Sequence, residues 1–167
     1  MPPDTPEGYI FEQSIIYGKS KSHPGVFEIK FHNPKFKNAI GLEPEKKLTE
    51  LIKQAENDND IKVIVLHGGQ YFSSGNDLSV FMKITDFDKM VEFANYGVNT
   101  VMVNLILALA FSKKPIIAVV RGGCVGIAFT ILSHVSLVYC GPDAYFKAPF
   151  MESFQSPEGT STLIFPQ

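Results

Sequence analysis

The chain has 167 residues and a mass of 18.5 kDa, with 45% hydrophobic residues, 13 Gly and 11 Pro. Such a composition describes one ordinary globular domain, able to bury roughly 70% of the surface its unfolded chain exposes, and excludes disordered, collagen-like and disulfide-stapled classes. Fifteen basic residues against 17 acidic ones give a net charge of −2, with no clustered basic stripe, so nucleic acid is excluded as a partner.

In chain order, Met1-Pro2-Pro3-Asp4 lacks the basic and apolar regions of a secretory signal, so none is expected. Residues 8–18 and 25–32 alternate apolar with polar around Pro24-Gly25, which predicts an antiparallel pair of strands. The stretch Glu43 to Glu56 places Leu42, Leu48, Leu51, Ile52 and Ala55 on one helical face. Ile61 to Leu66 follows as a short, β-branched run suited to a buried strand. After a loop over 68–77 comes a long helix, with Asp86 or Asp88 as its N-cap and Lys113-Lys114-Pro115 at its end. Its most apolar run, Val101 to Phe111, is broken by Asn104 and is too short to cross a ~30 Å hydrocarbon core, so a buried helix and no membrane span are expected. Ile116 to Val120 reads as a second buried strand, 127–134 as an apolar helix, and 135–139 and 144–148 as further strands. Fourteen Phe and no Trp suggest a well-filled core. The device strand, Gly-Gly, loop, Gly, helix occurs at 61–80 and again at 115–130. It implies parallel strands joined by helices, hence an α/β fold with its two glycine loops side by side at the carboxyl ends of the strands.

Three segments have residue types that suit chemistry. In Tyr71-Phe72-Ser73-Ser74-Gly75-Asn76-Asp77-Leu78, the glycine lets a ligand approach the main chain, and nearby N–H groups can point outward as donors. A capped turn explains the same residues. In Arg121-Gly122-Gly123-Cys124-Val125-Gly126-Ile127-Ala128, a helix begins where unpaired N–H groups suit an oxyanion; close helix packing explains it equally. In Ser156-Pro157-Glu158-Gly159, Pro157 fits a first helical turn, and Glu158 is either a dipole-stabilising residue or a general base facing the two loops. Cys124 and Cys140 have no zinc-like spacing and no nearby His, so both are read as free thiols in a reducing compartment, with no metal site. His23, His32 and His67 have no metal spacing either, and His134 reads as a packed structural histidine. Phe81, Met82, Phe150 and Met151 suit either a pocket wall or a core.

Taken in order, Asn33-Pro34 with Lys37-Asn38-Ala39, the segment Phe72 to Leu78, Pro115 to Val120 with Gly122 and Gly126, and Ala148-Pro149-Phe150 with Gln155-Ser156-Pro157-Glu158-Gly159 resemble the crotonase, or enoyl-CoA hydratase/isomerase, superfamily. The resemblance runs from about Phe27 to Pro166 and is strongest to its Δ3,Δ2-enoyl-CoA isomerase branch. It implies a crotonase-like spiral of ββα units, with 1–167 as a single core domain lacking the usual C-terminal helical region. It further implies that the amides of Asn76 and Ile127 hold a thioester oxygen and that Glu158 is the catalytic base. Ser74, Gly75, Asn76, Asp77, Leu78 and Ile127 would line the thioester and pantetheine, with Lys37 and Ala39 beside the coenzyme A moiety. The two hydratase glutamates are replaced by Thr130 and Phe150, so isomerisation of 3-enoyl-CoA, not hydration, is expected. A non-catalytic acyl-CoA-binding fragment or subunit is the alternative. No cofactor is implied, coenzyme A being part of the substrate; a homotrimer is implied if the C-terminal region is supplied. Peroxisomal location is implied, with the mitochondrion as alternative, although no targeting signal is visible. Leu163, Ile164 and Phe165 are expected to leave apolar surface exposed.

Overall fold

The structure, a computed structural model, describes residues 1–79 and 81–166; Val80, Gln167 and the side chain of Phe81 lie outside that description. The chain forms β1 (Ile10–Glu12), β2 (Ile15–Lys19), β3 (Val26–Phe31), α1 (Leu42–Asn57) and β4 (Val63–His67), then α2 (Phe87–Tyr96) and α3 (Val103–Ala110) joined by a π-helical segment Gly97–Met102. After these come β5 (Ile116–Val120), β6 (Gly123–Val125), α4 (Ile127–Thr130), β7 (Leu137–Cys140), β8 (Tyr145–Lys147) and α5 (Ser161–Ile164). The main sheet has the order β1-β2-β3-β4-β5-β7. Its first two pairings are antiparallel, and β3, β4, β5 and β7 run parallel. The expected α/β architecture is therefore present, with β6 and β8 paired in parallel as a second small sheet.

Alternation explains the sheet's inner face. Phe27, Ile29 and Phe31 from β3, Ile64 and Leu66 from β4, and Ile116, Ala118 and Val120 from β5 are all buried. They meet Leu48, Leu51, Ile52 and Ala55 of α1 and Leu105 and Leu109 of α3 in one core. Each fully buried Leu or Ile stabilises the fold by about 2 kcal/mol relative to exposure. The Lys114 ammonium donates to the carbonyls of Ala55 and Asp58, closing the C-terminus of α1 with a positive charge, as the helix dipole favours.

Several elements differ from expectation. Residues 8–18 are not one strand, because Gln13 and Ser14 take positive φ (48° and 59°) and fold β1 back on β2. Asp86, not Asp88, caps α2: its Oδ1 accepts the Lys89 N–H at 2.9 Å. Phe87 to Ala110 is continuous over 24 residues, so length does not exclude a span as the shorter apolar run had suggested. Val101, Met102, Leu105 and Leu109 are buried on one side of it, whereas Val98, Val103 and Leu107 are exposed. The second half of the 127–134 helix tightens to 3₁₀ geometry at Ile131–His134. The Phe excess does not fill the core, since Phe27, Phe31, Phe72 and Phe150 are buried but Phe87, Phe111 and Phe154 are exposed. Leu163 and Phe165 are exposed as expected, but Ile164 is half-buried and Phe165 stacks on Phe129 with ring centroids 4.8 Å apart.

Candidate active site

The loop after β4 is held between two partners. Ser73 N–H donates to the Gly123 carbonyl and Val125 N–H donates back to the Ser73 carbonyl, both at 3.1 Å. On the other side, Ser74 N–H donates to Lys37 O at 2.9 Å, Ile40 N–H to Gly75 O at 2.8 Å and Asp77 N–H to Ile40 O at 2.9 Å. The two glycine loops are thus adjacent, and Lys37 and Ala39 run beside the first. Gly75 has φ +89°, and a Cβ there would stand 2.7 Å from Val125 O, so only glycine allows this approach. Asn76 and Ile127 leave from the adjoining glycines 75 and 126. Among the described residues, neither of their backbone N–H groups has an acceptor.

Glu158 is not in a first helical turn. It lies in the loop before α5, whose N-cap is Thr160, because Gly159 turns the chain at φ +65° against α4. A Cβ on Gly159 would meet Thr130 Oγ1 at 2.3 Å. His134 Nε2 adds contacts to Gly159 O at 3.1 Å and Thr160 Oγ1 at 2.9 Å. This histidine therefore ties the glutamate's loop to the helix that begins at Ile127, a more specific task than packing. Asn76 Nδ2 donates to Glu158 Oε1 and Oε2 at 3.4 and 3.5 Å, bringing the first glycine loop to the carboxylate. Burial raises the Glu158 pKa to about 7, and the Asn76 hydrogen bond opposes that rise. A carboxyl so tuned exchanges protons near neutral pH. It opens on a cavity of about 570 Å³ whose opposite wall is Val98, Met102, Val103, Ile106 and Leu107.

A second carboxyl went unrecognised in the sequence. Glu45 of α1 is 2% exposed and lines a cavity of about 60 Å³ with Asn76 and Asp77. Burial first, and the charge of Glu158 second, raise its pKa to about 8. The signal for it was periodicity: Glu45 stands three residues from both Leu42 and Leu48, on the face that α1 buries.

The other candidate residues take varied positions. Ser74 donates its hydroxyl to Phe36 O at 3.0 Å. Asp77 accepts the Ser79 N–H at 3.0 Å, and Leu78 is 44% exposed. Lys37 holds its ammonium 5.6 Å above the Tyr71 ring, on the outer side of this region. Thr130 and Phe150 are buried, and Thr130 donates its hydroxyl to Ile127 O at 3.1 Å. Met82 and Met151 are each 86% exposed, so neither fills a core. Phe81, the fourth of that group, has its side chain outside the described residues. Cys124 and Cys140 are free thiols, and no cluster of potential metal ligands exists among the described residues.

Residues 21–167 match the family model of enoyl-CoA hydratase/isomerase. Human enoyl-CoA delta isomerase 2 is 37% identical over 147 residues, covering 87% of this chain and 36% of that protein. Mouse peroxisomal enoyl-CoA delta isomerase 3 is 34% identical over 146 residues, covering 87% of this chain and 45% of that protein. A solved structure named as a candidate enoyl-CoA hydratase/carnithine racemase from Magnetospirillum magneticum AMB-1 superposes with a TM-score of 0.77 at 30% identity, covering 93% of this chain and 57% of that one. The chain thus spans less than half the length of these two curated relatives. With its sheet order, paired glycine loops and matched length taken together, the chain belongs to the enoyl-CoA hydratase/isomerase, or crotonase, family.

Proposed function

We propose that this chain carries the catalytic core of an enoyl-CoA isomerase, which moves the double bond of a 3-enoyl-CoA to give 2-trans-enoyl-CoA. The observation that supports this most is the placement of Glu158, partly buried and bonded to Asn76 beside two adjacent loops whose Asn76 and Ile127 amides have no acceptor among the described residues. In this reading the two amides receive the thioester oxygen. Donors fixed before the reaction stabilise a developing oxyanion by about 3–4 kcal/mol each, which acidifies the C2 protons. Glu158 removes one C2 proton, leaving a dienolate, and returns a proton at C4, so that the C3–C4 double bond becomes a C2–C3 double bond. Base and acid act in turn, so one carboxyl suffices and no water is consumed.

The two positions that hold glutamates in hydratases support isomerisation over hydration. Thr130 and Phe150 stand there, both buried, and neither transfers protons. Ser74, Gly75, Asp77 and Leu78 would flank the thioester and pantetheine, with Lys37 and Ala39 nearer the nucleotide end, and the large cavity beside Glu158 would take the acyl chain. A place in fatty-acid β-oxidation follows from this chemistry. Peroxisomal location draws on the name of one relative, and a trimer on the family resemblance. The test is absorbance detection of 2-enoyl-CoA formation beside a measurement of acyl-CoA affinity. Turnover is expected; binding without turnover would favour the reading as a non-catalytic acyl-CoA binder.

A further inference from the structure

Glu45 occupies a position where α1 has otherwise placed apolar side chains. It is 2% exposed, and among the described residues no donor or cation reaches its carboxyl. The neighbouring lysines serve other carboxylates, Lys46 pairing with Glu43 and Lys47 with Glu12, each at 2.6 Å. The small cavity that Glu45 lines and the large one that Glu158 lines share Val98 and Met102 as walls. Asn76 stands at their junction, lining the first and donating to Glu158 at the second. The π-helical segment places Gly97, Val98 and Met102 at this junction.

We propose that Glu45 is a positioning residue for Glu158: the two carboxyls flank Asn76 as a pair that tolerates one negative charge, and Glu45 must retain its proton while Glu158 acts as base. The kinetic consequence rests on the isomerase reading; the pairing itself does not. Neither cavity is lined by Lys, Arg or His among the described residues, so no cationic side chain there offsets a second negative charge. Of the charged residues on the packed elements, Asp77 lines the small cavity, whereas Asp88, Lys89 and Glu92 of α2 are exposed. On α1, Glu43 and Lys46 pair with each other away from the cavity. Burial raises the Glu158 pKa to about 7, and burial first, with the charge of Glu158 second, raises that of Glu45 to about 8. Ionisation of Glu45 would then set a second carboxylate beside Glu158 before proton transfer, and a carboxylate beside the dienolate once Glu158 has taken up the C2 proton.

Two measurements test the pair. The first is the pH dependence of kcat/KM for 3-enoyl-CoA isomerisation in the wild type, Glu45→Gln and Glu45→Leu, each normalised to its own value at pH 7. The wild type is expected to give a bell whose alkaline limb lies near 8. Glu45→Gln loses that limb, so its ratio to wild type rises about tenfold between pH 7 and pH 9. Glu45→Leu gives the same flat alkaline side and serves if the glutamine variant does not fold. The second is a carbon NMR titration of the 167-residue chain labelled at the glutamate carboxyl carbon, without substrate. A glutamate titrating near 8 should vanish in Glu45→Gln and move to lower pH in Glu158→Gln. Retention of the alkaline limb in both Glu45 variants, or an unmoved titration in Glu158→Gln, overturns the proposal. Absence of turnover with the NMR coupling intact would refute the isomerase reading and leave the pair standing.

Discussion

Replacing Glu45 with leucine should stabilise the protein, by an amount that grows with pH. In the unfolded chain the Glu45 carboxyl loses its proton near 4.5, whereas in the folded protein burial and the charge of Glu158 hold it to about 8. Between those values the unfolded state binds fewer protons, so stability is greatest below about 4.5 and is lost as pH rises toward 8. Each pH unit in that window costs about 1.4 kcal/mol, or about 3 kcal/mol between pH 5 and pH 7.5. Leucine carries no titrating group, and Ile40, Leu42, Phe93 and Met102 give it mainly apolar neighbours beside Asn76 and Asp77. Glu158 titrates in both proteins, so most of its contribution cancels in the comparison. For a domain of this size, a 3 kcal/mol gap corresponds to roughly 6–12 °C in Tm. The assay is urea denaturation of wild type and variant at half-unit steps from pH 5 to pH 8. A difference that stays constant across this range would refute the titration argument, and a destabilised variant would refute the reading of the cavity as apolar.

Other consequences can be measured on the same protein. Asn38→Ala removes a buried amide whose Nδ2 donates to Gly68 O at 2.9 Å and Tyr71 O at 2.7 Å, and whose Oδ1 accepts the Asn33 N–H at 2.8 Å. It should cost about 2–4 kcal/mol in denaturant titration. Gly159→Ala forces a Cβ to within 2.3 Å of Thr130 Oγ1 at φ +65°. It should cost about 1–3 kcal/mol of stability and lower kcat by a larger factor, because Glu158 is displaced. Asn76→Ala removes the hydrogen bond that opposes the raised Glu158 pKa. The acid limb of the rate profile should move to higher pH, so activity falls more at pH 6.5 than at pH 8.5.

The elements legible in the sequence were those with a clear period. Leu48, Leu51, Ile52 and Ala55 marked α1, and the β-branched runs marked β4 and β5, because burial on one face leaves a repeat in the residues. Local backbone geometry left no such mark. Gln13 and Ser14 fold β1 onto β2 through left-handed conformations that neither residue type announces. The start of α5 moved past Glu158 because Gly159 turns against Thr130, a tertiary contact 29 positions away. The paired glycine loops were legible because Gly75 and Gly126 answer a steric demand. Glu45 leaves two competing marks in the sequence: a glutamate in a first helical turn is ordinarily explained by the helix dipole, whereas its periodicity with Leu42 and Leu48 puts it on the buried face. The Phe content misled, since aromatic count reports total apolar surface and not where that surface lies.

The central claim is that Glu158 carries the proton, and the most direct test compares wild type with Glu158→Gln. The amide preserves the shape of the side chain but cannot accept a proton from C2. The measurement is the initial rate of 2-enoyl-CoA formation from a 3-enoyl-CoA at pH 8, with acyl-CoA affinity measured alongside. The rate should fall by roughly 100- to 10,000-fold, the usual contribution of a positioned acid–base group, with affinity changed only a few-fold. A variant that keeps the wild-type rate would contradict the assignment of the base, and with it the proposed mechanism.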